Sequence, residues 1–246
     1  RVFHCAYGTP VPQSLPMRPH NKVFTIGYSG RLEQPQKRIH DLIEIAELLR
    51  NRHQEFRFLI AGDGPEDSAV RQAISERELS AHFEFLGFVA PKEISEKLYS
   101  PSDALLVPSS WETGPIVIWE AMASGTPVVS SRYVGSGLES LLWHEDNCLM
   151  FDIGDVHAAT DSLINLQNDE SLFERIRTSA FQTVLEKLSC EVSIRNWNEI
   201  LQQLMQIEPK RVAIDVPSAA SSRLSRFIGP TGAAIVRRTL GRMPPD

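Results

Sequence analysis

Hydrophobic positions recur along this chain with two different periods. Short apolar runs rich in aromatic and β-branched residues predict strands: "VFTIGYSG" from Val23, "FRFLIAG" from Phe56, "FEFLG" from Phe83, "ALLVPS" from Ala104 and "TPVVSS" from Thr126. Between them, "KRIHDLIEIAELLRNR", "GPEDSAVRQAISERE", "PKEISEKLYS" and "PIVIWEAMAS" carry a helical period. In the first of these, Ile39, Leu42, Ile43, Ala46 and Leu49 follow the three-and-four spacing of one buried face. Pro65, Pro91 and Pro115 stand where helices should begin, since the first amides of a helix have no partner for proline to remove. Strands alternating with helices predict an α/β fold, a parallel sheet covered on both faces. After Gly154 the strands stop, and "DVHAATDSLINLQ", "ESLFERIRTSAFQTVLEKL" and "EVSIRNWNEILQQLMQI" predict three successive helices that close the domain.

Composition narrows the class. The 246 residues, 42% hydrophobic and 23% charged with a net charge of −6, suit a soluble globular protein and carry no basic surplus for nucleic acid. Cys5, Cys148 and Cys190 form no C-x-x-C pair, which fits a reducing, cytoplasmic setting better than a disulfide framework. The two ends read differently from the body. Residues 1–22 carry Pro10, Pro12, Pro16 and Pro19 and no helical period, as expected of a strand end and linker from an upstream domain. From 208 onward the chain holds Lys210, Arg211, Arg223, Arg226, Arg237, Arg238 and Arg242 among Pro, Gly and Ser, which reads as a flexible basic tail. The alternative is peripheral association of "RLSRFIGPTGAAIVRRTLGR" with an anionic membrane, although Gly229 and Pro230 interrupt any amphipathic helix there.

The stretch "WETGPIVIWEAMASG" (111–125) is where chemistry first shows. Helical stepping from Pro115 leaves Val117, Ile118, Trp119, Ala121, Met122 and Ala123 around most of the circumference, with Glu120 and Ser124 as the polar strip. A helix apolar nearly all round is buried. No Lys or Arg lies three or four positions from Glu120, so its carboxylate needs donors from a distant side chain, from a ligand's hydroxyls or from solvent along a thin stripe. Glu112 precedes the Thr-Gly-Pro turn, at the C-terminal end of "ALLVPS", the edge where open parallel sheets bind ligands. The first amides of the helix, those of Ile116 and Val117, together with its dipole, suit a phosphate.

Other strand ends converge on the same edge. In "GYSGRLEQPQKR", Gly27 and Gly30 permit a tight turn, and Arg31 and Lys37 add two cations, which alone could be surface charges in a loop. "AGDGPE" is a glycine turn into a helix, a weak signal by itself. "FLGFV" offers backbone groups for a flat base.

Together these residues resemble the retaining, group-1 glycosyltransferases of the GT-B fold. Glu112 and Glu120 match the E-x7-E signature, and "SGRL…K", "AGDGP", "FLGFV", "VPSSWE", "EAMASGTPVV" and "GLE" follow the family's order over 23–207. The resemblance implies a Rossmann-like, nucleotide-sugar-binding domain, the C-terminal half of that fold. It implies that Gly30, Arg31 and Lys37 face the donor's diphosphate and that Glu120 binds the ribose hydroxyls. Glu112 would lie near the transferred sugar, Gly87, Phe88 and Val89 beside the base, and Gly114, Ile116 and Val117 at the phosphate end. An oxocarbenium-like transition state needs its departing diphosphate stabilised by fixed positive groups, which these cations and the helix start can supply without a metal. The chain has no Asp-x-Asp pair.

Two positions depart from the family pattern. Gly114-Pro115 replaces a common Phe-Gly, so one amide is lost, and Arg38 replaces a frequent glycine, as a further cation near the phosphates or a solvent-facing one. The acceptor domain of a GT-B enzyme is absent from the sequence, so the expectation is a donor-binding half that is inactive alone. A non-catalytic nucleotide-sugar- or partner-binding module is the alternative. A nicotinamide oxidoreductase is disfavoured, because "GYSGRL" replaces G-x-G-x-x-G.

Overall fold

A computed structural model of the chain describes residues 5, 7–18, 21–137 and 140–206. The basic segment from 208 and the last two residues of "GLE" lie outside the described residues. Arg1–Leu201 form one compact unit; the second unit, Gln202–Asp246, is described only as far as 206.

Six strands build one all-parallel sheet: β1 (Phe24–Ser29), β2 (Phe56–Ala61), β3 (Phe83–Gly87), β4 (Ala104–Val107), β5 (Val128–Ser131) and β6 (Leu149–Phe151), in the order β3-β2-β1-β4-β5-β6. Alternation along each strand sends side chains to two separate cores. Phe56, Phe58 and Ile60 of β2 and Ala104 and Leu106 of β4 join the core under α1 (Asp41–Asn51), α2 (Asp67–Glu76) and α4 (Val156–Asn168). Leu59, Ala61, Leu105 and Val107 point the other way, towards α3 (Ile116–Ala123) and a π-helical turn at Ser95–Tyr99. Helix α5 (Glu170–Lys187) serves both, with Phe173 and Ile176 in the first core and Ala180 and Val184 in the second. Asp155 and Asp169 cap α4 and α5 by accepting from the Ala158 and Leu172 amides, both 2.9 Å away. Among the described residues the last helix is α6 (Cys190–Met205).

Several expectations change in detail. β6 extends the sheet by three residues, too few to show a period. "PKEISEKLYS" forms turns and then the π-helical turn instead of an α-helix. Pro115 is the N-cap of α3 (φ −75°, ψ 90°), one position before the first helical residue. Gly27 lies inside β1, where a Cβ would come within 2.6 Å of Ser102 Oγ, so close packing and not a turn explains it. The N-terminal strap is tied down: Thr9 bridges Ser189, and the Arg18 guanidinium stacks 3.6 Å from the Phe173 ring centre while pairing with Glu170. Among the described residues no helix is long and apolar enough to cross a membrane.

Candidate functional site

The order of the strands reverses between β1 and β4, so the loops leaving their C-terminal ends part and open a crevice. On one bank, the loops after β1, β2 and β3 are joined through backbone. The Gly30 amide donates to the Ala61 carbonyl (3.0 Å), Leu32 to Asp63 (2.8 Å), Glu66 to Leu32 (3.0 Å) and Gly62 to Gly87 (2.8 Å). Glycine makes this approach possible. A Cβ on Gly62 (φ +141°) would lie 1.9 Å from the Gly30 oxygen, and one on Gly64 2.3 Å from that of Leu32. The "AGDGP" glycines, weak as a motif, therefore set the floor of the crevice.

On the other bank side-chain pairs add to backbone bonds, among them the Val134 amide to the Ser110 carbonyl (2.9 Å) and the Glu112 amide to that of Val134 (3.2 Å). The loop after β1 reaches the one after β4 through Ser110, whose amide donates to the Gln36 carbonyl (2.7 Å) and whose hydroxyl donates to that of Pro35 (3.0 Å). Lys37 Nζ then donates to Glu112 Oε1 at 2.6 Å, with the two side chains only 20% and 8% exposed. This ion pair spans the switch point itself. Beneath it, Tyr28 at the end of β1 donates its hydroxyl to the Arg31 carbonyl (2.9 Å). Burial, then the nearby charges of Glu112 and Glu33, pushes the Tyr28 phenol far above its ordinary value, so it stays a neutral donor.

Glu120 finds its partner 21 residues away. Tyr99, wholly buried at the end of the π-helical turn, donates its hydroxyl to Glu120 Oε2 at 2.8 Å. Desolvation raises the Glu120 carboxyl above the usual carboxylate range, and the Tyr99 hydrogen bond opposes it. The distant-side-chain alternative thus holds. No motif pointed to Tyr99; the available signal was a lone tyrosine ending a short helical run in front of a strand.

Two cavities meet at Ile94. The smaller, about 340 Å³, is lined by Ser29, Gly30, Arg31, Gly62, Phe88 and Val89 among others. The larger, about 610 Å³, is walled by Pro10, Val11, Pro12 and Pro16 of the strap and by Lys92, Tyr99 and Glu120. The structure therefore brings Gly30, Arg31, Phe88 and Val89 together, pairs Lys37 with Glu112, and sets Glu120 apart across Ile94. Gly87 lies at the end of β3 with φ +64°, and Gly114 forms the turn (φ +113°) before Ile116 and Val117 open α3, outside both cavity linings. Arg31 is largely exposed and leans on Glu33 (3.3 Å). Arg38 neither faces solvent freely nor joins Lys37: it forms a two-pronged pair with Asp41 (2.7 and 3.0 Å) and packs its guanidinium over Gly154. Burial raises the Asp41 carboxyl, which Arg38 partly counteracts. An acid three residues along one chain was the overlooked signal.

Comparison with known proteins adds independent findings. The family model described as glycosyl transferases group 1 matches residues 17–183. The chain is 27% identical over 171 residues to N-acetyl-alpha-D-glucosaminyl L-malate synthase of Bacillus anthracis, covering 69% of this chain and 43% of that protein. It is 33% identical over 151 residues to a glycogen synthase of Mycobacterium tuberculosis, covering 60% and 36% respectively. The chain thus spans less than half the length of these curated relatives. In fold it is similar to sucrose-phosphate synthase from Thermosynechococcus elongatus (TM-score 0.70, 21% identity, 81% of this chain and 51% of that one). It is similar also to Anabaena HepE in complex with UDP (TM-score 0.64, 22% identity, 75% and 49%).

Proposed function

The chain belongs to the group 1 glycosyltransferase family, and from that premise we propose that residues 23–207 are the donor-binding domain of a retaining enzyme. Its substrate on this reading is a nucleotide-diphosphate sugar, whose sugar passes to an acceptor held by another domain. The observation that carries the proposal is the Lys37–Glu112 pair at the switch point, together with Arg31 and Glu120 in the linings of two cavities that share Ile94.

The roles follow from charge and position. Leaving-group charge develops on the diphosphate, so fixed cations beside it lower the barrier. Arg31 and Lys37 are those cations, Gly30 lets the backbone come near, and the Ile116 and Val117 amides add the positive end of α3. Pro115, as N-cap, leaves both of those amides in place. Glu112 lies beside the transferred sugar and orients Lys37. Glu120 accepts from the ribose hydroxyls, and Gly87, Phe88 and Val89 border the nucleoside. The scheme calls for no metal ion. Residues 23–207 by themselves are expected to bind the donor and not to transfer its sugar.

Calorimetry of the chain against UDP, GDP and ADP tests the reading. One nucleotide should bind, and Glu120→Ala should weaken it by about tenfold or more, the usual scale for losing a hydrogen-bonding charge. Silence from all three at millimolar concentration would sink the proposal.

A further inference from the structure

We propose that Tyr99 is a positioning residue of the donor site, its phenol holding the Glu120 carboxylate in place. The inference rests on the reading of Glu120 as a hydroxyl-binding carboxylate.

Tyr99 donates to Glu120 Oε2 at 2.8 Å, and both residues line the larger cavity. The backbone around Tyr99 is built for this placement. The Ser100 amide donates five residues back to Ser95 (2.8 Å), the widened turn of a π-helix, which often marks functional positions. Thr126, just past α3, donates its hydroxyl to the Tyr99 carbonyl (2.8 Å), fixing the turn to the helix that carries Glu120.

A half-buried carboxylate tends to take up a proton, which would turn an acceptor of hydroxyls into a poorer one. The Tyr99 hydrogen bond favours the ionised form. Of the titratable groups facing Glu120, Lys92, just before the π-helical turn, shares the cavity with Tyr99. The strap contributes Thr9, prolines and Val11, which do not titrate, and α3 carries no other charged side chain. From α5, Arg177 is directed to the carbonyls of Gly125 and Pro16.

The test is calorimetric titration of whichever of UDP, GDP or ADP binds the wild-type chain most tightly, from about pH 5 to pH 8, with Tyr99→Phe, Glu120→Gln and the double variant. Tyr99→Phe keeps the ring, and should weaken binding about tenfold at pH 7. Its acid limb should move to higher pH, because Glu120 loses the donor that keeps it ionised. In the Glu120→Gln background the tyrosine substitution should cost nothing further and leave no pH shift. Thr126→Val, which removes the hydroxyl bond to the Tyr99 carbonyl and spares the phenol, should move the same limb in the same direction by less, and serves if Tyr99→Phe does not fold. Wild-type affinity and pH profile in Tyr99→Phe, or an equal loss in the glutamine background, overturns the assignment. If Glu120→Gln itself binds like wild type, the role of Glu120 fails first and that of Tyr99 with it.

Discussion

The two banks of the crevice are built from different materials. On the β1–β2–β3 side, loop meets loop through amides and carbonyls, and glycines at 62 and 64 allow contacts that no side chain could enter. On the β4–α3 side, backbone bonds through Ser110, Glu112 and Val134 are supplemented by side-chain pairs, Lys37 on Glu112 and Tyr99 on Glu120. A backbone lattice is fixed once the chain has folded. Pairs of side chains can be broken singly and can exchange one partner for another. The backbone lattice gives the first bank its shape, and the charges come from both sides: Arg31 and Lys37 from the loop after β1, Glu112 and Glu120 from the β4–α3 side.

Substitutions should separate these contributions. The largest effect belongs to Gly62→Ala, where the new Cβ meets the Gly30 oxygen and φ is left-handed. A loss of about 3–4 kcal/mol in urea denaturation is expected from overpacking plus backbone strain; a loss below about 1 kcal/mol would show that the bank yields after all. Next comes Lys37→Met, which leaves the nearly buried Glu112 without its counter-charge. About 2–3 kcal/mol should be lost, less than for a fully buried pair because Lys37 is partly exposed. Adding Glu112→Gln should restore most of it, and a double variant as unstable as the single one contradicts the pairing. Gly87→Ala should cost only about 1 kcal/mol, because φ is +64° but no atom lies within 4 Å of the added carbon.

The smallest effect has the opposite sign. Glu120 carries a raised folded-state pKa, so its contribution to stability is fully present below the unfolded value, 4.5, and is lost as pH rises through the raised one. At pH 7 the ionised carboxylate therefore works against folding. Glu120→Gln should raise Tm by about 2 °C there, on the scale of a fraction of a kcal/mol. The gain should disappear below pH 4.5. A lower Tm at pH 7 would mean that the charge is better solvated than its surroundings indicate. The same substitution is expected to weaken nucleotide binding, a trade of stability against function at one residue.

Legibility from sequence follows the same division. Strands and helices with a clean period were readable, since burial of one face writes itself into two- or four-residue spacing; α1 and β2 are examples. The charged residues around the crevice could be named individually, because Glu112, Glu120, Arg31 and Lys37 stand out against apolar or glycine-rich neighbours. What joins them could not. Lys37 and Glu112 are 75 residues apart, and Tyr99 and Glu120 sit in elements whose relative rotation depends on a π-helical turn. The first bank was nearly invisible, because a backbone hydrogen bond leaves no residue type behind it, only a glycine whose purpose the sequence does not state. β6 escaped for want of length, and Arg38 reads as a phosphate-side or solvent-facing cation unless Asp41, three residues on at the start of α1, is considered as its partner.

The Lys37–Glu112 bond has a consequence for selectivity. A cation already engaged at 2.6 Å by an internal anion offers little to a passing chloride or a lone phosphate. An arriving molecule must bring enough negative charge, at the right spacing, to outcompete a carboxylate that never leaves. If Lys37 faces the donor as proposed, a diphosphate anchored at a second point would do so where weaker anions would not, and the resident glutamate would set a threshold for entry.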